Sequence, residues 1–173
     1  MTLIKTQIGR RAFIKNTSLA SGGLILGFSM LNACKPKQAE TMAALEMPEE
    51  WFEMNGYLKI GDNGVVTILS PNPEIGQNVK TSMPMIVADE LDIDWKNVIV
   101  EQAPLNTKLY SWQVAGGSRS ISSSWQGLRM AGATARHLLK EAAAQAWQVP
   151  VSEISAVAGM LTHEASGNSA GYG

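Results

Sequence analysis

The sequence predicts an α+β domain, built from β-hairpins and short strands packed with two main helices. Three observations carry this. Hairpin chemistry stands near residues 57–69 and again near residues 154–163. Two stretches with helical periodicity lie between them, 79–91 and 125–147. A short apolar run and a long loop separate the helices, and no internal repeat is visible. The order is hairpin, helix, strand, long loop, helix, hairpin.

The elements follow in sequence. Tyr57–Ile60 and Val65–Leu69 are strand-like runs, and Gly61-Asp62-Asn63-Gly64 between them tolerates the positive φ of a tight turn. Pro71 and Pro73 end the second run, because proline cannot donate to a ladder. From Val79 to Leu91 the apolar residues Val79, Met83, Ile86, Val87 and Leu91 share one helical face. Pro84 is placed in or near the first turn, where a missing N–H costs little. Asp94–Asn97 is a turn and Val98–Val100 a short buried strand. Residues 102–121 form a long loop without an obvious core, and loops of that length are commonly functional. Ser122, Ser123 and Ser124 are N-cap candidates for the longest helix, Trp125–Trp147. Its stripe is Leu128, Ala131, Ala135, Leu138, Leu139, Ala142 and Ala146, and Gly132 among the alanines implies close packing on a neighbour. Pro150 ends the helix; Ile154–Val157 and Met160–His163 form the second hairpin, and residues 165–173 read as a loop.

The first 33 residues stand apart from the fold. Lys5, Arg10, Arg11 and Lys15 make a basic start, and no acid occurs before Glu40. Leu19–Ala33 is apolar but diluted by glycine and serine, which suits an export signal better than a membrane-spanning helix. The segment Gly9-Arg10-Arg11-Ala12-Phe13-Ile14-Lys15 resembles a twin-arginine signal, so residues 1–33 are assigned to a signal peptide and excluded from fold reasoning. Leu31-Asn32-Ala33-Cys34 resembles a lipobox, which makes Cys34 the candidate lipidation site. Cleavage nearby without lipidation, or retention as an uncleaved anchor, are the alternatives. As the sole cysteine, Cys34 can form no internal disulfide and cannot supply an iron–sulfur cluster. Residues 34–54 form a tether, including Glu49, Glu50 and Glu53 beside Trp51, and the domain occupies residues 55–173.

Beyond the leader the chain is acidic, with ten basic residues against fifteen acids after Cys34. No basic stripe with interleaved aromatics exists, so nucleic acid is not an expected partner. Catalytic patterns are sparse. His137 and His163 stand alone, without metal spacing, and are expected to be solvated or packed. No Gly-x-Ser-x-Gly elbow is present. Asp89, Glu90, Asp92 and Asp94 read as a solvated helix end. No catalytic residue and no protein metal ligand is assigned.

Two loops carry the candidate chemistry. The first, residues 72–78, runs from a strand into a helix and contains Glu74, Gly76, Gln77 and Asn78. Backbone N–H groups at such a helix start suit a phosphate, and the Gln77 amide can donate and accept. The second, Ala115-Gly116-Gly117-Ser118-Arg119-Ser120, leads into the long helix. Paired glycines allow close backbone approach, Ser118 and Ser120 can donate, and Arg119 can pair with an anion. Plain turns are the alternative for both.

These loops carry a resemblance. Pro73-Glu74-Ile75-Gly76-Gln77-Asn78-Val79-Lys80-Thr81, then Ala88-Asp89-Glu90-Leu91 and Val98-Ile99-Val100-Glu101, resemble the molybdopterin-binding subunit of the xanthine oxidase family. The branch that includes the isoquinoline 1-oxidoreductase β subunit and membrane-associated aldehyde dehydrogenases is particularly similar at Gln102–Leu105 and Ala115–Ser120. Where the family has the second glycine of a Gly-Gln-Gly loop, this chain has Asn78, which also tolerates positive φ.

The resemblance implies that Glu74, Gly76, Gln77, Asn78, Gly116, Gly117, Ser118, Arg119 and Ser120 lie against molybdopterin cytosine dinucleotide. It implies a molybdenum hydroxylase that oxidises aldehydes or N-heteroaromatic compounds. Its expected partners are a small [2Fe-2S] iron–sulfur subunit, a cytochrome c electron acceptor, the twin-arginine translocase and a membrane surface. It further implies that residues 55–173 are the amino-terminal part of a larger molybdopterin-binding domain, with the catalytic base encoded elsewhere. A non-catalytic exported lipoprotein, using the same scaffold as a binding module, is the second expectation.

Overall fold

The computed structural model describes residues 45–110 and 112–173. The segment assigned to an export signal, with Arg10 and Arg11, lies outside the described residues, as do Cys34 and residues 35–44 of the expected tether. The described part is α+β, with two sheets of short strands and two main helices.

The first sheet contains β1 (Trp51–Asn55), β2 (Leu58–Gly61), β3 (Val66–Ser70) and β4 (Val98–Gln102), in that spatial order. The β1–β2 and β2–β3 pairs are antiparallel, and β3–β4 is parallel. The predicted turn closes β2–β3: Gly61 N donates to Val65 O (2.7 Å), and Asn63 Oδ1 accepts from Val65 N (3.1 Å). Gly64 there has φ +82°, which explains its glycine. Trp51–Asn55 is a strand, so the sheet begins inside the segment read as tether. It is an edge strand with exposed Phe52 and Glu53, and its order comes from pairing with β2 rather than from burial.

Helix α1 (Val79–Leu91) crosses between the parallel strands β3 and β4. Val79, Met83, Val87 and Leu91 are buried, as the periodicity requires, and they share a core with Val66 and Ile68 of β3. Pro84 falls in the second turn rather than the first, so the Lys80 carbonyl lacks its usual helical donor. The helix stops at Asp92, whose φ of +60° turns the chain away.

Helix α2 (Ser120–Trp147) starts five residues earlier than expected, with Arg119 as N-cap and no serine side chain capping it. Its buried face also differs. Leu128, Ala131, Gly132, Ala135, Ala143 and Ala144 face inward, while Leu138, Ala142 and Ala146 are exposed. The reason is close approach: Gly132 sits on the α1 backbone, and this contact fixes the helix rotation.

The second sheet is an antiparallel meander of β5 (Ile154–Val157), β6 (Met160–His163) and β7 (Asn168–Gly171). Ala158 (φ +50°) and Gly159 (φ +83°) form a two-residue turn of the kind hairpins favour. The tail is therefore not a loop. Its strand is fully exposed, but buried Tyr172 anchors it by donating to Leu91 O (2.9 Å). Ile154, Ala156 and Leu161 join the same core as α1 and β3.

The acidic helix end is more than a solvated surface. Arg129 pairs with Glu90, and Arg136 pairs with Asp92 (2.8 Å), tying α2 to α1. Arg136 also donates to Ala156 O, and Asp92 Oδ1 accepts from Ala158 N (3.0 Å), so this pair fastens the second sheet. Among the histidines, His137 is exposed beside Glu141, and buried His163 is held between Ser166 (2.7 Å) and Glu153 (2.9 Å).

Candidate cofactor-binding cleft

The first loop leaves β3 through buried Pro71 and Asn72, then turns outward at Pro73. Its conformation is self-supporting. Glu74 Oε1 accepts from Gly76 N (2.6 Å) and Asn78 N (3.0 Å), and Oε2 accepts from Lys80 N (3.0 Å). Gln77 Oε1 accepts from Ile75 N (2.6 Å), and its Nε2 donates to Pro73 O (3.0 Å). Gly76 (φ +95°) and Asn78 (φ +63°) both take left-handed backbone, which asparagine tolerates better than most side chains.

This geometry corrects one expectation. The N–H groups of Gly76, Asn78 and Lys80 do not point outward at a phosphate, because the Glu74 carboxylate already occupies the start of α1. A carboxylate is an anion, and it satisfies the same exposed donors and the same helix dipole. The Lys80 N–H is the main cause holding the Glu74 carboxyl below its ordinary range, with Asn78, Gly76 and Gln77 adding to it.

The long segment 102–121, which ends in the second loop, has more internal structure than its sequence suggests. Ala103 and Tyr110 are buried, and Tyr110 donates to Gly56 O while meeting Tyr57 edge-on at 5.2 Å. Gln113 ties this segment together and to the root of the first loop: Oε1 accepts from Asn106 N (2.7 Å), and Nε2 donates to Pro104 O (3.0 Å) and Pro71 O (3.1 Å). Gly117 (φ +61°) and Ser118 (φ +54°) then make two successive left-handed residues that deliver the chain into α2. The Arg119 guanidinium stacks over Trp112, 5.5 Å from the ring centre.

The two loops face each other. Between them lies a cleft of about 360 Å³ lined by Ile75, Gln77 and Val79 on one side and Gly116, Ser118, Ser120 and Ile121 on the other. Four of the nine residues assigned from sequence therefore meet there: Gln77, Gly116, Ser118 and Ser120. Glu74 instead lines a neighbouring hollow of about 410 Å³ with Lys80, Gln102 and Gln113. Gly76, Asn78 and Gly117 shape the backbone, and Arg119 is engaged by Trp112.

The cleft sets a few polar groups among apolar walls, which suits an organic ligand with polar substituents. No carboxylate lines it, so an anionic group meets no like charge there. A Cβ at Gly116 would meet nothing within 4 Å, which leaves bare backbone open to a ligand. Ser118 adds a hydroxyl, Ser120 lines the cleft with its own hydroxyl turned to Val114 O (3.4 Å), and Ile75 and Ile121 add apolar walls. Among the described residues, no group of three or more His, Cys, Asp or Glu could hold a metal ion. Sequence reasoning missed Asn72 and Gln113, which tie the loops together. An asparagine flanked by two prolines at a strand end was the available signal.

The class of protein that emerges is an α+β domain with two glycine-containing loops brought around one cleft. The family is settled by sequence: residues 9–171 match the family described as molybdopterin cofactor-binding domain, and the chain belongs to it. It is 31% identical, over 96% of its length, to "Isoquinoline 1-oxidoreductase subunit beta" of Brevundimonas diminuta, of which it covers 21%. It is 30% identical, over 82% of its length, to "Membrane-bound aldehyde dehydrogenase [pyrroloquinoline-quinone]" of Gluconacetobacter polyoxogenes, of which it covers 18%. Among solved structures, quinoline 2-oxidoreductase from Pseudomonas putida 86 shares the fold, with a TM-score of 0.54 and 20% identity over 66% of this chain and 14% of that one. The chain thus spans about a fifth of the length of the curated relatives it matches.

Proposed function

We propose that this chain is the amino-terminal segment of a molybdenum hydroxylase large subunit, and that its cleft holds part of molybdopterin cytosine dinucleotide. The observation that carries the reading is the meeting of the two loops: Gln77 faces Ser118 and Ser120 across one cleft, although some forty residues separate them in sequence. Gly116 would supply backbone contact, Ser118 a hydroxyl, and Gln77 the opposite wall, while Gly117 shapes the turn and the Ser120 hydroxyl is engaged within its own loop. Glu74, Gly76 and Asn78 hold that wall in shape, and Arg119 is stacked on Trp112.

When bound, the molybdenum cofactor supplies the redox chemistry, with water as the oxygen source. The described residues bind and orient it. The names of the relatives favour aldehydes or N-heteroaromatic compounds as substrates of the complete protein. A small [2Fe-2S] subunit and a cytochrome c would take the electrons. The leader supports export by the twin-arginine translocase to the periplasm, with Cys34 as a lipid anchor at the membrane. No helix among the described residues is long and apolar enough to cross a membrane.

The test uses the full-length protein carrying Gln77→Ala with Gly117→Val. Gly117 has φ +61°, so valine strains the loop as well as filling it. Metal analysis should show loss of molybdenum, and denaturation should release no cytosine nucleotide. Unchanged molybdenum and nucleotide content would make these loops merely structural. Pyrroloquinoline quinone, carried in the name of one relative, would appear in the same cofactor extract and would overturn the reading. Mass spectrometry of the mature amino terminus tests Cys34.

A further inference from the structure

We infer that Asn72 is a positioning residue that sets the separation of the cleft's two walls. It lies at the root of the first loop, two residues beyond β3, and is completely buried. Its Nδ2 donates to Val114 O at 2.8 Å and reaches Ser120 Oγ at 3.4 Å. Val114 and Ser120 bracket the second loop, since the hexapeptide Ala115–Ser120 starts after one and ends on the other. Ser120 Oγ also lies 3.4 Å from Val114 O, which closes a three-membered polar cluster. One amide at the base of the first wall thus grips both ends of the second. The adjacent Pro71 O accepts from Gln113 Nε2 at 3.1 Å and makes a parallel tie one residue away.

The orphan atom strengthens the argument. Asn72 Oδ1 is buried without a hydrogen-bond partner. An unpaired buried acceptor is unfavourable, and a leucine of similar size would avoid it. The compensation is the pair of bonds made by Nδ2, and both reach the second loop. Asn72 does not line the cleft, so it acts through Val114 and Ser120 rather than by touching a ligand. The assignment rests on the cleft being the cofactor site, but the geometry it describes can be tested separately.

The experiment uses the full-length protein with Asn72→Leu, and Asn72→Ser as a second variant in case leucine prevents folding. Val87→Ala, in the α1–α2 contact, serves as a control destabilised away from the loops. Molybdenum and released nucleotide are measured per polypeptide, together with hydrogen exchange of the 113–119 segment. The Asn72 variants should lose at least tenfold in cofactor occupancy and exchange at least tenfold faster in that segment. Val87→Ala should keep both near wild type. Wild-type exchange and occupancy in the Asn72 variants would overturn the inference, as would equal losses in Val87→Ala. If wild-type protein carries neither molybdenum nor pterin, the cofactor reading falls, and the exchange measurement still decides whether Asn72 holds the loop.

Discussion

Gly132 of α2 rests directly on the carbonyl of Val87 in α1. A Cβ built on Gly132 would overlap that oxygen and lie 2.9 Å from Glu90 Cβ and 3.1 Å from Leu91 N. The two helices meet backbone to backbone, so nothing flexible can yield. Gly132→Ala should therefore destabilise the chain by about 1–3 kcal/mol, despite alanine's better helix propensity. Urea unfolding of the full chain measures it. A stabilised variant would show that the helices separate freely.

The Asp92–Arg136 pair joins α1, α2 and the second sheet. Asp92→Ala removes the partner of Arg136 and the acceptor of Ala158 N, and it places alanine at φ +60°. The pair is partly exposed, so the expected cost is about 1–2 kcal/mol. Asp92→Asn should cost less, because asparagine keeps an acceptor and tolerates left-handed backbone. Equal losses in the two variants would place the effect elsewhere.

Glu74 supplies the caps of α1 only while ionised. Its pKa is lowered by the loop's N–H groups, so its contribution is present above the unfolded carboxyl value and fades as pH falls through the lowered folded value. Glu74→Gln should be less stable than wild type at neutral pH, and the gap should close in acid. A gap that stays constant with pH would mean that the carboxylate charge has no part in it.

At alkaline pH the relevant group is Tyr172. Burial is the main cause that raises its pKa to about 12 from an ordinary 10.0. A raised value for an acid means that stability is intact below the unfolded value and is lost as pH climbs through the folded one. Wild type should thus weaken between about pH 10 and 12 by a component that Tyr172→Phe lacks. At neutral pH the phenylalanine variant should lose about 1 kcal/mol, through the missing bond to Leu91 O. Paired unfolding curves across that range check both statements.

The sequence carried the first hairpin, the α1 face and the β5–β6 hairpin, because turn chemistry and apolar spacing are local signals. The two loops were also visible, as glycine-containing segments ahead of helices. Other features depend on partners far away in sequence. Asn168–Gly171 has no apolar residue beyond alanine, and it is a strand because β6 and Tyr172 hold it. Alanine occurs on several faces of α2, so hydropathy could not choose between Leu138 and Ala143; the contact of Gly132 with α1 chooses. Within the site, Glu74 was read as facing a ligand, because spacing alone does not show that its carboxylate folds back onto Lys80 N.

That fold-back has a thermodynamic consequence. The wall formed by residues 74–80 is cross-tied by its own Glu74 and Gln77 side chains, so its order is established when the chain folds. A ligand entering the cleft meets one wall already fixed and does not bear the entropy of arranging it. Affinity would then respond chiefly to the other wall, where two left-handed residues and a glycine pair hold the backbone open.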